Sequence, residues 1–140
     1  MTEEERNLKV IKAIPFMYDL DPSQADELFH RDCIHHVNGM TENGRGPDVI
    51  RISIHEMGKV FDESQTIFDD VIALGNKVSV RWTWRGKNKI SGNQWIFAGQ
   101  SFFLLEKGKI VEYWAIDNRY LEMLNHGFKI VPPSPPAPKK

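Results

Sequence analysis

The sequence contains one cysteine, Cys33, and no apolar run near the ~18 residues of a membrane span. A single cysteine cannot form an internal disulfide, and no Cys/His spacing typical of a zinc site occurs. The chain has 18 lysine and arginine residues and 19 aspartate and glutamate residues, so its net charge is -1. This is too little positive charge for sequence-independent nucleic-acid binding. The acidic first residues lack the features of an export signal. These absences favour a cytoplasmic protein whose partners are small molecules or other proteins.

The 140 residues suit one domain with a sizeable core. We predict this domain over residues 1–131, because the composition changes only at the end of the chain. Residues 132–140 are rich in proline, which offers few amide donors and favours extended backbone. This segment is predicted to be an extended or disordered tail, with a proline-motif ligand for a partner as the alternative.

The first half of the chain shows helical spacing of apolar residues. One amphipathic helix is predicted over 4–18, with Pro15 kinking or dividing it near Ile14. Asp21, Pro22 and Gln24 form a helix-start pattern for a second helix that runs to about residue 29. A strand follows over 33–38, and two Asn-Gly pairs, at 38–39 and 43–44, predict turns before a third helix begins at Gly46-Pro47.

From residue 65 onward the pattern alternates with a period of two. Four strands are predicted over 66–74, 77–85, 94–106 and 109–117, and a short helix over 119–125. The short connections between these strands imply an antiparallel meander. The element order predicts an α+β domain, in which a curved antiparallel sheet wraps partly around the N-terminal helices. Such a sheet leaves a cone-shaped cavity, which is a common place for a ligand site.

Three segments resemble one family. Ile110–Trp114, followed by Asp117, is similar to the last strand of SnoaL-like polyketide cyclases, which belong to the nuclear transport factor 2-like superfamily. Asp32–His36 resembles the family's Asp-x-x-x-His, and Val80–Gly86 resembles its Val-x-Arg-Trp…Gly strand. The likeness covers about residues 8–127.

The resemblance implies cofactor-free aldol closure of an aromatic polyketide ester. It implies that Asp117 is the base that removes a carbon-bound proton and that His36 assists as a hydrogen-bond donor. A second histidine of the family would fall fourteen residues before Asp117, where this chain has Phe103. The family's Gly-Thr-His is also changed, to Gly86-Lys87-Asn88. No metal site is expected.

The residues themselves leave alternatives open for both catalytic candidates. An Asp among aromatic rings would have its pKa raised by desolvation, which suits a base, whereas Asp117 could instead cap the last helix or lie in a solvated turn. His35 and His36 point to opposite faces of one strand, so at most one of them faces the cavity. Their neighbours Ile34 and Val37 are both apolar, so the sequence does not decide which.

Several aromatic residues are candidates for binding a ligand, and Phe103 in the third predicted strand of the meander is one of them. Trp82 and Trp84 alternate with basic residues, which predicts one aromatic face and one basic face, with core packing as the ordinary role. If the basic residues of that strand, and not the tryptophans, faced inward, Arg81 would project into the cavity and could hold an enolate oxygen. Phe16 and Tyr18 are placed at the cavity mouth by analogy with related folds. Tyr18 is a candidate oxyanion donor, as a tyrosine is in ketosteroid isomerase.

The leading hypothesis is an enzyme in which Asp117 removes an activated C–H proton from a cyclic or aromatic keto compound, while His36 or Arg81 stabilises the enolate. The alternative is a non-catalytic binder of an apolar or aromatic molecule, or a dimeric interaction module. Epoxide hydrolysis ranks lower, because it would need a second acid beside Arg81 and Asp117. A homodimer is expected from the exposed sheet face.

Overall fold

The first helix begins at a capping box. The computed structural model describes residues 1–19 and 21–138, except the side chains of Phe16 and Met17. Helix α1 (Glu3–Tyr18) starts where the Thr2 hydroxyl accepts from the Glu5 amide at 3.1 Å, while the Glu5 carboxylate accepts from the Thr2 amide at 2.9 Å. The predicted division near Ile14 is wrong, since the helix continues through Pro15. The fully buried Ile11 and Ile14 hold it against the sheet, which offsets the missing amide donor of the proline.

The second quarter of the chain contains a strand that we did not predict. A 3-10 turn (Pro22–Gln24) leads into the short helix α2 (Ala25–Leu28), β1 (Phe29–Val37) and β2 (Met40–Arg45), which precede α3 (Pro47–Val60). The Asn38-Gly39 turn is present, and both residues have the positive φ of a tight hairpin. The turn predicted at residues 43–44 is wrong, because both residues lie inside β2 and extend the hairpin.

The predicted meander is confirmed, with longer strands at its start. Strands β3 (Phe61–Leu74), β4 (Lys77–Asn88), β5 (Gln94–Glu106) and β6 (Lys109–Asp117) pair in antiparallel order, and α4 (Arg119–Asn125) follows. Strand β1 joins the sheet beside β6 in parallel, giving the order β2-β1-β6-β5-β4-β3. The sheet is therefore mixed, because the connection from β1 to β6 runs through one helix and four strands rather than through a hairpin.

The inner face of the curved sheet carries the core. Side chains from α1 and α3 pack against alternate residues of the central strands, such as Val78 and Val80 of β4. A second, aromatic cluster lies toward the other end of the sheet and contains Phe61, Trp84, Trp95 and Phe97. The α+β class and the curved sheet around N-terminal helices are thus confirmed.

Two further features concern the ends and surfaces of the chain. Residues 128–138 have no regular secondary structure, and residues 132–138 are exposed. Positions 139 and 140 of the proline-rich tail lie outside the described residues. No helix among the described residues is both long enough and apolar enough to cross a membrane.

Candidate active site

A cavity of about 200 Å³ lies between the inner face of the sheet and helices α1 and α3. Its walls are mainly apolar, because the residues of β4, β5 and β6 that project to this side of the sheet are mostly aromatic. The aromatic lining consists of Tyr18, Phe68, Trp82, Trp84, Phe97, Phe103 and Tyr113. The charged and hydroxyl-bearing lining consists of Glu42, Ser53, Thr66, Ser101, Asp117 and Arg119.

The strand register places Trp82 and Asp117 on either side of a glycine. Trp82 lies opposite Gly99, and Gly99 lies opposite Asp117. A Cβ atom at Gly99 would lie 2.6 Å from the Trp82 ring and 2.9 Å from the Asp117 Cβ. The missing side chain therefore leaves the space in which the indole approaches the carboxylate-bearing residue.

Asp117 is buried and ion-paired. None of its side chain is exposed, and its carboxylate accepts from the Arg119 Nη2 at 2.6 Å and from the Arg119 Nε at 2.9 and 3.0 Å. The Arg119 backbone amide also donates to it at 3.0 Å, and the Asn38 side-chain amide donates at 3.4 Å. Asp117 thus lines the cavity and also accepts from the first amide of α4, as a helix-capping residue does.

Arg119 lies across one side of the cavity. Its guanidinium carbon is 5.3 Å from the centre of the Phe97 ring, which is a cation–π distance. Its Nε and Nη2 atoms are held by Asp117, whereas Nη1 has no hydrogen-bond partner within residues 1–19 and 21–138. Its positive charge also reaches Tyr18, where it favours the ionised form of the phenol. Arg119 therefore supplies positive charge to the same cavity as Asp117.

A chain of hydrogen bonds leads from the cavity to the backbone. The His35 Nε2 is 2.8 Å from the Gly46 carbonyl oxygen, and its Nδ1 is 2.9 Å from the Tyr113 hydroxyl. Because a carbonyl oxygen only accepts, Nε2 carries the proton. Burial lowers the pKa of His35, so the ring is neutral and its bare Nδ1 accepts from the Tyr113 hydroxyl. The Tyr113 oxygen is left as an acceptor on the cavity side.

Tyr18 lies next to this chain and stays protonated. Burial raises the pKa of Tyr18 to about 12, against a smaller opposing effect of the Arg119 charge. Burial likewise raises the pKa of Tyr113 well above its ordinary value. Both phenols therefore act as neutral hydrogen-bonding groups at neutral pH.

Two predicted site residues lie on the other face of the sheet. His36 stacks on Trp114, with ring centres 5.0 Å apart, and its Nε2 lies 2.7 Å from the Glu112 carboxylate. Arg81 is exposed and donates to Asp70 at 2.8 Å. The expectation that His36 or Arg81 reaches the cavity is wrong. His35 and Trp82 take the inward positions, and alternation along a strand then directs their neighbours outward.

The remaining predicted residues fall into two groups. Trp84 and Phe103 lie on the cavity wall, where Phe103 stacks on Tyr113 with ring centres 5.5 Å apart. The prediction for Phe16 concerns a side chain outside the described part of the structure. Within that part, no three His, Cys, Asp or Glu side chains are grouped so that they could hold a metal ion.

Sequence reasoning missed six polar residues of the cavity: Glu42, Ser53, Thr66, Ser101, Tyr113 and Arg119. Ser101 and Tyr113 had a usable signal. Each lies an even number of residues from Phe103 or Asp117 on its own strand, so it shares their face. Glu42 and Arg119 had no such signal, because one lies on a strand that we did not predict and the other lies beyond the last strand.

Comparison with known proteins agrees with this architecture. The chain is similar to the structure of TsrD from Streptomyces laurentii, with 20% identity and a TM-score of 0.79; the match covers 91% of this chain and 98% of TsrD. It is similar to IdmH from Streptomyces antibioticus, with 17% identity and a TM-score of 0.76; that match covers 87% of this chain and 99% of IdmH. It is also similar to AclR from Streptomyces galilaeus, with 16% identity and a TM-score of 0.78; this match covers 92% of this chain and 90% of AclR. No curated protein sequence matches it. At these identities the structural likeness shows the fold alone.

The family follows from a separate match to the sequence. The family model of SnoaL-like polyketide cyclase matches residues 12–124, which include both sides of the cavity from α1 to α4. This match covers most of the chain and agrees with the resemblance of the three segments described above. The chain belongs to the SnoaL-like polyketide cyclase family.

Proposed function

We propose that this protein catalyses cofactor-free acid/base chemistry on a compact keto compound, with Asp117 as the base. The observation that carries the proposal is the Asp117 carboxylate, which is fully removed from solvent at the wall of an aromatic cavity. Membership in a cyclase family supports it, as does the similarity to IdmH, a proposed polyketide cyclase. The reaction begins when a carboxylate oxygen takes a carbon-bound proton and leaves an enolate.

The enolate oxygen requires a hydrogen-bond donor, and Tyr18 can provide one. Its hydroxyl stays protonated because burial raises its pKa to about 12. The role that we first considered for His36 or Arg81 is therefore assigned to the phenol of Tyr18. The proton held by Asp117 then returns to another carbon in an isomerisation, or to the new alkoxide after an aldol-type closure.

The size of the cavity limits the substrate. A cavity of roughly 150 Å³ holds benzene, so a volume of about 200 Å³ suits one or two rings. A single general base contributes about 10²–10⁴-fold to a rate, which favours substrates whose C–H bonds are already activated. A one- or two-ring ketone with benzylic hydrogens next to the carbonyl meets both requirements.

The test is hydrogen–deuterium exchange of 2-indanone in D₂O, followed by proton NMR. Its hydrogens beside the carbonyl are activated by both the ketone and the ring. We expect the protein to accelerate exchange and the Asp117→Asn variant to lose about 100-fold or more of that acceleration. Asp70→Asn, on the outer face of the sheet, is the matched control and should retain it. Equal rates for the parent and Asp117→Asn would contradict the role of Asp117.

A non-catalytic binding module is the second candidate. Two observations favour it: Arg119 already holds both oxygens of Asp117, and Phe103 is an apolar wall that cannot transfer protons. If the protein binds 2-indanone but does not accelerate exchange, this function replaces the first. Epoxide hydrolysis through Arg81 and Asp117 is not proposed, since Arg81 lies on the opposite face of the sheet from the cavity.

A further inference from the structure

Ser101 is a buried hydroxyl on the cavity wall. It lies in β5 on the inner face, between Val80 of β4 and Ala115 of β6, and only 8% of the residue is exposed. Both cross-strand neighbours are apolar, so they offer no side-chain partner to the hydroxyl. The remaining contacts of this hydroxyl therefore decide what it can do.

The hydrogen bonds of Ser101 leave one proton without an acceptor. The Trp82 Nε1 lies 2.9 Å from the Ser101 Oγ, and an indole N–H can only donate, so the oxygen is the acceptor. The hydroxyl proton is then free to be donated, and no acceptor for it exists among the described residues. Accepting one hydrogen bond also polarises the hydroxyl and strengthens it as a donor. A buried donor without a partner is unfavourable, which favours a ligand that accepts from it.

The register places this donor near the candidate base. Ser101 lies opposite Ala115, and Asp117 lies two residues further along β6 on the same face. Diagonal neighbours of this kind are about 7–8 Å apart between adjacent strands. That separation accommodates a carbonyl oxygen at the hydroxyl and the adjacent C–H group at the carboxylate. The small Ala115 lies between them on β6, the Trp82 ring fills the space beside Gly99, and both Ser101 and Asp117 line the same cavity.

We propose that Ser101 donates a hydrogen bond to the carbonyl oxygen of the ligand and so determines that the cavity prefers a ketone to a hydrocarbon of the same shape. The binding part of this proposal needs only the cavity. The catalytic part, in which the same hydrogen bond stabilises the enolate formed by Asp117, rests on the proposed function. Ser101 and Tyr18 then contact the substrate oxygen from the sheet and from α1, respectively.

The test compares 2-indanone with indane, which has the same ring skeleton without the oxygen. Dissociation constants are measured by NMR titration for the parent, Ser101→Ala and Ser101→Thr. Ser79→Ala, which removes an exposed hydroxyl from β4, is the control. We expect Ser101→Ala to reduce the preference for the ketone about fivefold while indane binding stays unchanged. Ser101→Thr keeps the hydroxyl and should keep the preference, as should Ser79→Ala.

A second measurement detects the hydrogen bond directly, even if the alanine variant is less stable. Isotope-edited infrared spectra of bound 2-indanone should show a carbonyl stretch at lower frequency in the parent than in Ser101→Ala. An unchanged ketone preference and an unchanged carbonyl frequency in Ser101→Ala would overturn the proposal. The two proposals can fail separately. If the protein does not accelerate hydrogen exchange, the proposed function fails, but Ser101→Ala should still change the ketone preference and the carbonyl frequency.

Discussion

The glycine between Trp82 and Asp117 allows a sharp test of the site geometry. In a Gly99→Ala variant the new Cβ would lie 2.6 Å from the Trp82 ring, 2.9 Å from the Asp117 Cβ and 2.5 Å from the backbone oxygen of Ile116. The oxygen belongs to the sheet backbone and cannot rotate away. The φ angle of Gly99 is compatible with alanine, so the effect of the substitution comes from these contacts and not from backbone strain.

The expected loss of stability follows from two contributions. Inserting a methyl group into a tightly packed site costs about 1–3 kcal/mol. Moving the Trp82 ring also separates its N–H from the Ser101 hydroxyl, and an unpaired buried donor costs a further 1–3 kcal/mol, roughly. We therefore expect Gly99→Ala to lower the free energy of unfolding by about 3 kcal/mol.

Urea unfolding followed by circular dichroism measures this change. Gly44→Ala is the matched control, because its Cβ would meet only the Val49 methyl group at 3.2 Å and that side chain can adjust. The control should change the free energy of unfolding by less than about 0.5 kcal/mol. If Gly99→Ala were as stable as the parent and bound 2-indanone equally well, the close approach of Trp82 to Asp117 would be refuted.

Two other predictions concern a buried histidine and the outer face of the sheet. Burial lowers the pKa of His35 below its unfolded value of about 6.5, so the stability that this residue contributes is fully present above pH 6.5 and is lost as the pH falls through the folded pKa. Urea unfolding at several pH values should show that the free energy of unfolding falls by up to ~1.4 kcal/mol per pH unit below pH 6.5. This pH dependence should disappear in His35→Gln and remain in His55→Gln, which replaces an exposed histidine. The same pH dependence in His35→Gln as in the parent would contradict the role of His35. The exposed apolar residues of the outer face, which include Trp114 and Ile116, favour a homodimer. Light scattering should give the mass of two chains and Trp114→Glu should give one, whereas a monomeric parent at micromolar concentration would refute dimerisation.

Local patterns were sufficient for most of the fold. The helix-start signals and the period-two alternation predicted α3, the four meander strands and α4, with errors of up to five residues at their ends, as at the start of β3. The errors occurred where tertiary contacts override local preferences. Pro15 stays inside α1 because the buried Ile11 and Ile14 hold the helix on the sheet. Residues 43–44 extend as part of β2 because the strand pairs with β1.

Long-range strand pairing decided the direction of the candidate side chains. Alternation implies that His35 and His36 face opposite sides, but it does not say which side is inward. The parallel pairing of β1 with β6 decides this, because it places His35 beside Tyr113 on the inner face. The same reasoning applies to Arg81 and Trp82, whose directions follow from the pairing of β4 with β5.

The sequence by itself determined the family, the α+β class and the position of Asp117 at the end of the last strand. These properties depend on residue types and spacings that local physical chemistry can interpret. Only the tertiary structure decided that Trp82 approaches Asp117 across Gly99 and that Ser101 retains a free proton. Each of these contacts depends on a strand register, and no local pattern specifies how distant segments meet.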